Sequence, residues 1–108
     1  MEAMEDFLKS VGALYDETRV KLLKFIDLHG ALCVCDLEAS FGMTQSRLSR
    51  HLKILKDAGF LVSNRCGRWT YYGIRSPMDR FRLEAIGEIR ALPTPLPALK
   101  KISGGCGE

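Results

Sequence analysis

Long apolar runs are missing from this 108-residue sequence. No window approaches the roughly eighteen consecutive apolar residues that a membrane-spanning helix requires, so no membrane partner is expected. The amino terminus, MEAMEDFLKS, carries acidic residues where a secretory signal carries basic ones, which points to a cytoplasmic location. There is no glycine-rich phosphate loop, no C-x-x-C redox motif and no nucleophile paired locally with a base, so neither an enzyme nor a required cofactor is expected. Cysteine occurs four times, at positions 33, 35, 66 and 106. With 46% hydrophobic residues the chain can build an apolar core without a disulfide framework, and the thiols are expected to be reduced. A chain this short forms one domain.

Charge of one sign is scarce in one region only. The net charge of the whole chain is +3. Residues 44–75 hold seven basic groups (Arg47, Arg50, Lys53, Lys56, Arg65, Arg68 and Arg75) against one acid, Asp57, which leaves nine basic and twelve acidic groups elsewhere. A basic stretch on an otherwise acidic body is the electrostatic footprint of a phosphate-backbone binder, although a solvated helix face would show the same run.

Apolar spacing predicts the elements. Residues 4, 7, 8, 11 and 14 mark an amphipathic helix with a clear inner face. A second helix runs from an Asp16 N-cap to Gly30 and is apolar around so much of its circumference that it should be central. A short helix spans Cys33 to Phe41, closed by Gly42, and a longer one follows a Thr44 cap with Leu48, Leu52 and Leu55 turned inward. From Phe60 to Ile74 the β-formers around Cys66-Gly67 predict a two-stranded hairpin with its tip at the glycine. A last helix covers residues 79–92, with Pro77 where it would begin. Residues 93–108, rich in proline and then glycine, are predicted to be a poorly ordered tail to a domain of residues 1–92.

The short helix, turn and longer helix between Val34 and Ala58 form a helix-turn-helix pattern, in which early residues of the second helix meet base edges in the major groove. Gln45, Ser46, Arg47, Ser49, Arg50, His51 and Lys53 are the candidate DNA-binding residues there. A basic hairpin directly afterwards, with Arg65 and Arg68, makes the fold class mostly α with a small β wing, a winged helix-turn-helix. An ordinary helical bundle would share the periodicity but not the wing.

The stretch LCVCDLEASFGMTQSRLSRHLKILKDAGFLVSNRCGRWTYYGI, residues 32–74, resembles the ArsR family of small dimeric metal- and metalloid-responsive repressors. The specific parts are SRLSRHLKILKDAGFL, similar to the recognition-helix signature, and LCVCDL, similar to the arsenic-binding signature of arsenite-responsive members. The resemblance implies a homodimer, built through the first and last helices, that binds double-stranded operator DNA. It implies release when arsenite or antimonite binds cysteine thiolates, without a required cofactor. It also implies a departure, because some arsenite sensors have a further cysteine where this chain has Glu38. The metal-site candidates are therefore Cys33, Cys35 and a third ligand, either Cys106, Cys66 or an exogenous thiol. An extended tail from Leu92 to Cys106 spans about 45 Å, so reach does not exclude Cys106. Zinc-type members place histidine on the last helix, where this chain has Asp79, Glu84 and Glu88, and cadmium/lead-type members add a cysteine before position 33. His29 reads as a helix-end residue and His51 as a packing or phosphate residue.

Residues two apart in a regular helix project about 200° from one another, so the Cys33 and Cys35 thiolates are not expected to reach one ion unless the first helical turn unwinds. Two small buried hydrophobes at a helix start are the bland alternative. The competing functions are a thiol-redox repressor of the same fold and a winged-helix protein-interaction module. Operator sequence and regulated genes are not legible.

Overall fold

Caps and left-handed glycines cut the chain into its elements. In this computed structural model, which describes residues 2–103, the order is α1 (Ala3–Leu14), α2 (Glu17–His29), β1 (Leu32–Cys33), α3 (Val34–Phe41), α4 (Gln45–Asp57), β2 (Leu61–Cys66), β3 (Trp69–Ile74) and α5 (Arg80–Ala91). The Asp16 carboxylate accepts the Arg19 amide at 3.0 Å and starts α2. The Thr44 hydroxyl accepts the Arg47 amide at 3.4 Å and starts α4. Between the two motif helices Gly42 adopts φ 62°, a left-handed backbone that glycine takes without steric penalty, and its amide closes α3 on the Glu38 carbonyl.

Helix α2 is central, with Leu22, Leu23, Phe25 and Ile26 fully buried. Leu37 of α3 joins them, as do Leu48, Leu52 and Leu55 of α4, Phe60, Leu61, and Ile86 and Ile89 of α5. The architecture is a winged helix-turn-helix, five helices with a small antiparallel sheet.

Four details differ from the sequence expectation. The sheet has three strands rather than two, in the order β1-β3-β2, because Leu32 and Cys33 pair with Tyr72 and Tyr71. Helix α5 starts after Asp79, and Pro77 lies before it behind a cis Ser76-Pro77 bond. The apolar stripe of α1 faces outward: Met4, Phe7, Leu8 and Val11 are exposed, while Ser10 and Ala13 are the buried positions. The tail is not loose through residue 103. Leu96 packs on the core, and the amides of Lys100, Ile102 and Ser103 are bonded to side chains of α3.

Arg82 fastens the start of α5 to the rest. Its Nε donates to the Ala58 carbonyl at 2.8 Å, Nη1 to Asp79 at 2.7 Å and Nη2 to Asp6 at 3.2 Å, and its side chain is 11% exposed. Asp6 and Asp79 are more than half exposed, so water screens those ion pairs and the buried carbonyl bond carries most of the effect. Arg82→Met is expected to lower stability by about 1–3 kcal/mol, read as a shifted urea midpoint at unchanged slope.

Candidate nucleic-acid interface and dithiol site

Leu48, Leu52 and Leu55 anchor α4 and thereby aim its other face. At 100° per residue the directions opposite this apolar seam belong to Ser46, Arg50 and Lys53, flanked by Arg47 and Ser49, with Gln45 at the first turn. All six are exposed. Lys53 is tethered to Asp57 at 3.0 Å, and the rest of this surface offers guanidinium, amide and hydroxyl groups of the kinds that read bases and phosphates. His51 turns the other way. It is half-buried, and its Nδ1 accepts from Arg19 Nη1 at 3.2 Å, since a guanidinium only donates. Burial first, then the charges of Arg19, Arg47 and Arg50, hold His51 below the usual imidazole value against the pull of Asp16. At neutral pH it therefore adds packing and no charge to this face.

In the wing, strands β2 and β3 pair from Leu61↔Ile74 to Cys66↔Trp69, and Gly67 turns the tip at φ 62°. Arg65 and Arg68 are both exposed there. Arg65 Nε donates to the Gly67 carbonyl at 3.1 Å, and the Arg68 guanidinium lies 4.8 Å from the Trp69 ring centroid. These contacts stiffen two cations at the tip.

Cys33 is the last residue of β1 and the N-cap of α3, with extended φ −73° and ψ 153°. That conformation overturns the expectation that the first turn must unwind. Because Cys33 stands outside the helix, its side chain is not on the helical wheel, and the Cys35 thiol donates to Cys33 Sγ at 3.0 Å. The two sulfurs already converge. Burial first, then the neighbouring Cys33 and the Asp36 charge, pushes the Cys35 thiol up to about 12, so it rests protonated.

Asp36, unremarked in the sequence, organises this corner. With Cys33 it forms a capping box, its Oδ2 accepting the Cys33 amide at 3.1 Å. The carboxylate has no exposed surface, yet the amides of Ser103, Ile102 and Cys33 and the Ser103 hydroxyl outweigh burial and hold it below the usual carboxylate range. Tyr71 was missed as well. It stands opposite Cys33 across the sheet and so shares its face, and its buried hydroxyl has no hydrogen-bond partner among the described residues. The C-x-x-D spacing of a capping box signals Asp36 in the sequence, whereas nothing local signals Tyr71.

The structure brings Cys33 and Cys35 together. Cys66, at the end of β2, is not among the free thiols of the described residues, so the expectation of reduced thiols fails there and its candidacy as a third ligand with it. Cys106 lies outside the described residues. Among the described residues no three His, Cys, Asp or Glu side chains cluster as a metal site, and no helix is long and apolar enough to cross a membrane.

A family model described as bacterial regulatory protein, arsR family, matches residues 16–63. The arsenical resistance operon repressor of Bacillus subtilis (strain 168) is 38% identical over 73 residues, 68% of this chain and 70% of that protein. The arsenic resistance transcriptional regulator ArsR1 of Pseudomonas putida is 42% identical over 68 residues, 63% of this chain and 53% of that protein. The chain thus spans about seven tenths of the first of these two relatives and about half of the second. Among solved structures, the AntR antimony-specific transcriptional repressor is similar with a TM-score of 0.63 and 30% identity, covering 79% of this chain and 74% of that one. The homodimeric winged helix-turn-helix DNA-binding domain Mb0332 of Mycobacterium bovis superposes with a TM-score of 0.69 at 21% identity, over 81% of this chain and 77% of that one.

A thiol held up to about 12 reacts as thiolate only at high pH. Alkylation of Cys35 by iodoacetamide, followed by peptide mass spectrometry, is expected to keep accelerating between about pH 8 and 10.5, where an ordinary thiol levels off. A plateau near pH 9 would contradict the protonated resting state.

Proposed function

Because the chain belongs to the arsR family of bacterial regulatory proteins, we propose that it is a homodimeric, DNA-binding transcriptional repressor released from its operator when trivalent arsenic or antimony is captured by Cys33 and Cys35. The observation that carries this reading is the pair of sulfurs 3.0 Å apart at the point where α3 and β3 meet. Soft thiol donors select soft thiophilic centres, and a pyramidal trivalent centre accepts two donors closer together than the roughly 3.8 Å of a tetrahedral zinc dithiolate. Capture balances without net charge: each thiol proton leaves with one hydroxyl of arsenous acid as water, two As–S bonds form and two As–O bonds break. The names of the arsenical-resistance relatives and of the antimony-specific neighbour support the same ligand class.

The position of the pair supplies a route to DNA. Sulfur engaged by a ligand no longer serves the capping box, and a lost N-cap weakens a helix start by about 0.5–2 kcal/mol. Strain at Cys33 passes along α3 to the turn before α4 and across β1 to the strand that carries the wing. The dimer reading rests on the exposed apolar residues of α1 and α5, joined into one surface by the Phe7 and Phe81 rings with centroids 5.2 Å apart. A third thiolate is left to an exogenous thiol. Thiol-redox sensing is less favoured, since oxidation proceeds through a thiolate that Cys35 resists forming.

Titration of arsenite into the reduced protein on operator DNA tests the sensor. Cys33→Ser and Cys35→Ser are expected to keep operator affinity and lose the response, a hydroxyl being a poor ligand for a soft metalloid. Release of both variants at wild-type arsenite concentrations would place the sensing site elsewhere.

The DNA-binding roles separate by salt and sequence. Arg50→Ala and Gln45→Ala are expected to weaken operator binding by about 1–3 kcal/mol and binding to random DNA far less. Arg65→Ala and Arg68→Ala should weaken both, each flattening the log-log salt slope by about one unit. Absence of any salt-dependent DNA affinity would favour a protein-interaction module instead.

A further inference from the structure

The end of the described chain is fastened to the carboxylate beside the two thiols. The amides of Ile102 and Ser103 donate to Asp36 Oδ1 at 2.7 and 2.9 Å, the Ser103 hydroxyl donates to Oδ2 at 3.0 Å, and the Lys100 amide donates to Ser40 Oγ at 2.8 Å. The same carboxylate holds the Cys33 amide and lies 3.9 Å from Cys35 Sγ. On the other flank the Lys101 ammonium lies 5.9 Å from the ring centroid of Tyr71, the residue paired with Cys33. Residues 100–103 thus grip both the carboxylate beside the thiols and the strand facing them, and Cys33 is only 3% exposed.

A ligand that bonds Cys33 has to reach a sulfur with almost no open surface. The walls around it differ in how readily they move. Helix α3 and strand β3 are fixed by Leu37 and by a full ladder of strand pairing, whereas residues 100–103 have no regular structure. Their hold is a handful of hydrogen bonds and a Lys101–Asp36 ion pair at 3.7 Å from a half-exposed ammonium, and water can satisfy these donors and acceptors once the segment lifts. The unpartnered Tyr71 hydroxyl is a second sign, because a polar group buried on the face of Cys33 without a bond marks an enclosure left incomplete by the protein alone.

We propose that residues 100–103 form a gate over the dithiol, latched by Asp36, and that a thiol-seeking ligand reaches Cys33 only when this strap releases the carboxylate. The ligand class, a trivalent metalloid, rests on the function proposed above; the gate itself concerns access to the sulfurs. Asp36 is then a positioning residue with two tasks, setting Cys33 at the N-cap and holding the strap shut.

The test is the rate at which the reduced, metalloid-free protein reacts with two probes, phenylarsine oxide, which takes two thiols, and the aromatic disulfide DTNB, which takes one. Labelling is assigned to Cys33 and Cys35 by peptide mass spectrometry. Two variants open the gate: a chain ending at Leu99, and Ser103→Pro, which removes the amide and hydroxyl donors while keeping the tail. Both are expected to react about tenfold faster or more with either probe, with helix content and operator affinity unchanged, and Ser40→Ala by a smaller factor. Wild-type rates in Ser103→Pro and in the shortened chain would overturn the gate. The two proposals fail separately. Faster DTNB labelling without arsenite-driven operator release sinks the metalloid reading and keeps the gate, while normal arsenite release with unchanged labelling rates does the reverse.

Discussion

A carboxylate without exposed surface has to be surrounded by donors, and the arrangement of this protein's dithiol corner follows from how Asp36 meets that demand. Its donors come from two distant parts of the chain, the Cys33 amide three residues before it and the Ile102 and Ser103 groups more than sixty residues after it. The first contact makes Cys33 an N-cap and so takes it off the helical wheel. The second draws in a tail whose proline-rich composition has little other reason to dock. With Asp36 uncharged or absent, neither the convergence of the sulfurs nor the course of the strap would have a cause.

The same corner adjoins both the wing and the helix that leads into α4. Cys33 is simultaneously a rung of the β1–β3 ladder and the first residue of the α3 cap, so a change there is felt by the wing strand and by the helix that precedes the recognition helix. A third tie reaches the recognition helix from the opposite side. Arg19 binds the carbonyls of Ala13 and Gly12 at the end of α1 and also the His51 ring, linking the outward-facing apolar helix to α4. Rigid cores transmit such shifts because their side chains are close-packed, and the Leu48, Leu52 and Leu55 seam leaves α4 little freedom to move alone.

What could be read from the sequence was what is decided locally. Asp16, Thr44, Gly30 and Gly42 end or begin helices through contacts within a few residues, so their roles and the exposed face of α4 were legible. The strand β1 was not, because two residues carry no periodicity and only pairing with β3 defines it. Missing β1 led directly to treating Cys33 as helical and to requiring an unwound turn. The stripe on α1 was visible as amphipathic, but periodicity cannot tell which partner a face has, and here the face turns outward. Composition likewise reads side chains, whereas the tail is held chiefly by its backbone amides.

The charge state of the corner also bears on which ligands it suits. With Asp36 ionised and paired with the Lys101 ammonium at 3.7 Å, that carboxylate is already balanced, and ionising the protonated Cys35 would add an uncompensated negative charge in a place water reaches poorly. A divalent cation brings its own charge into that environment and has to drive the Cys35 proton out to solvent before the two are balanced. Arsenous or antimonous acid arrives neutral and removes thiol protons as water, leaving the Asp36 charge as it was. On the function proposed above, a neutral, hydroxylated, thiophilic acid is the ligand that enters such a corner without adding charge to it, so the proton on Cys35 would bear on the choice of ligand along with the sulfurs themselves.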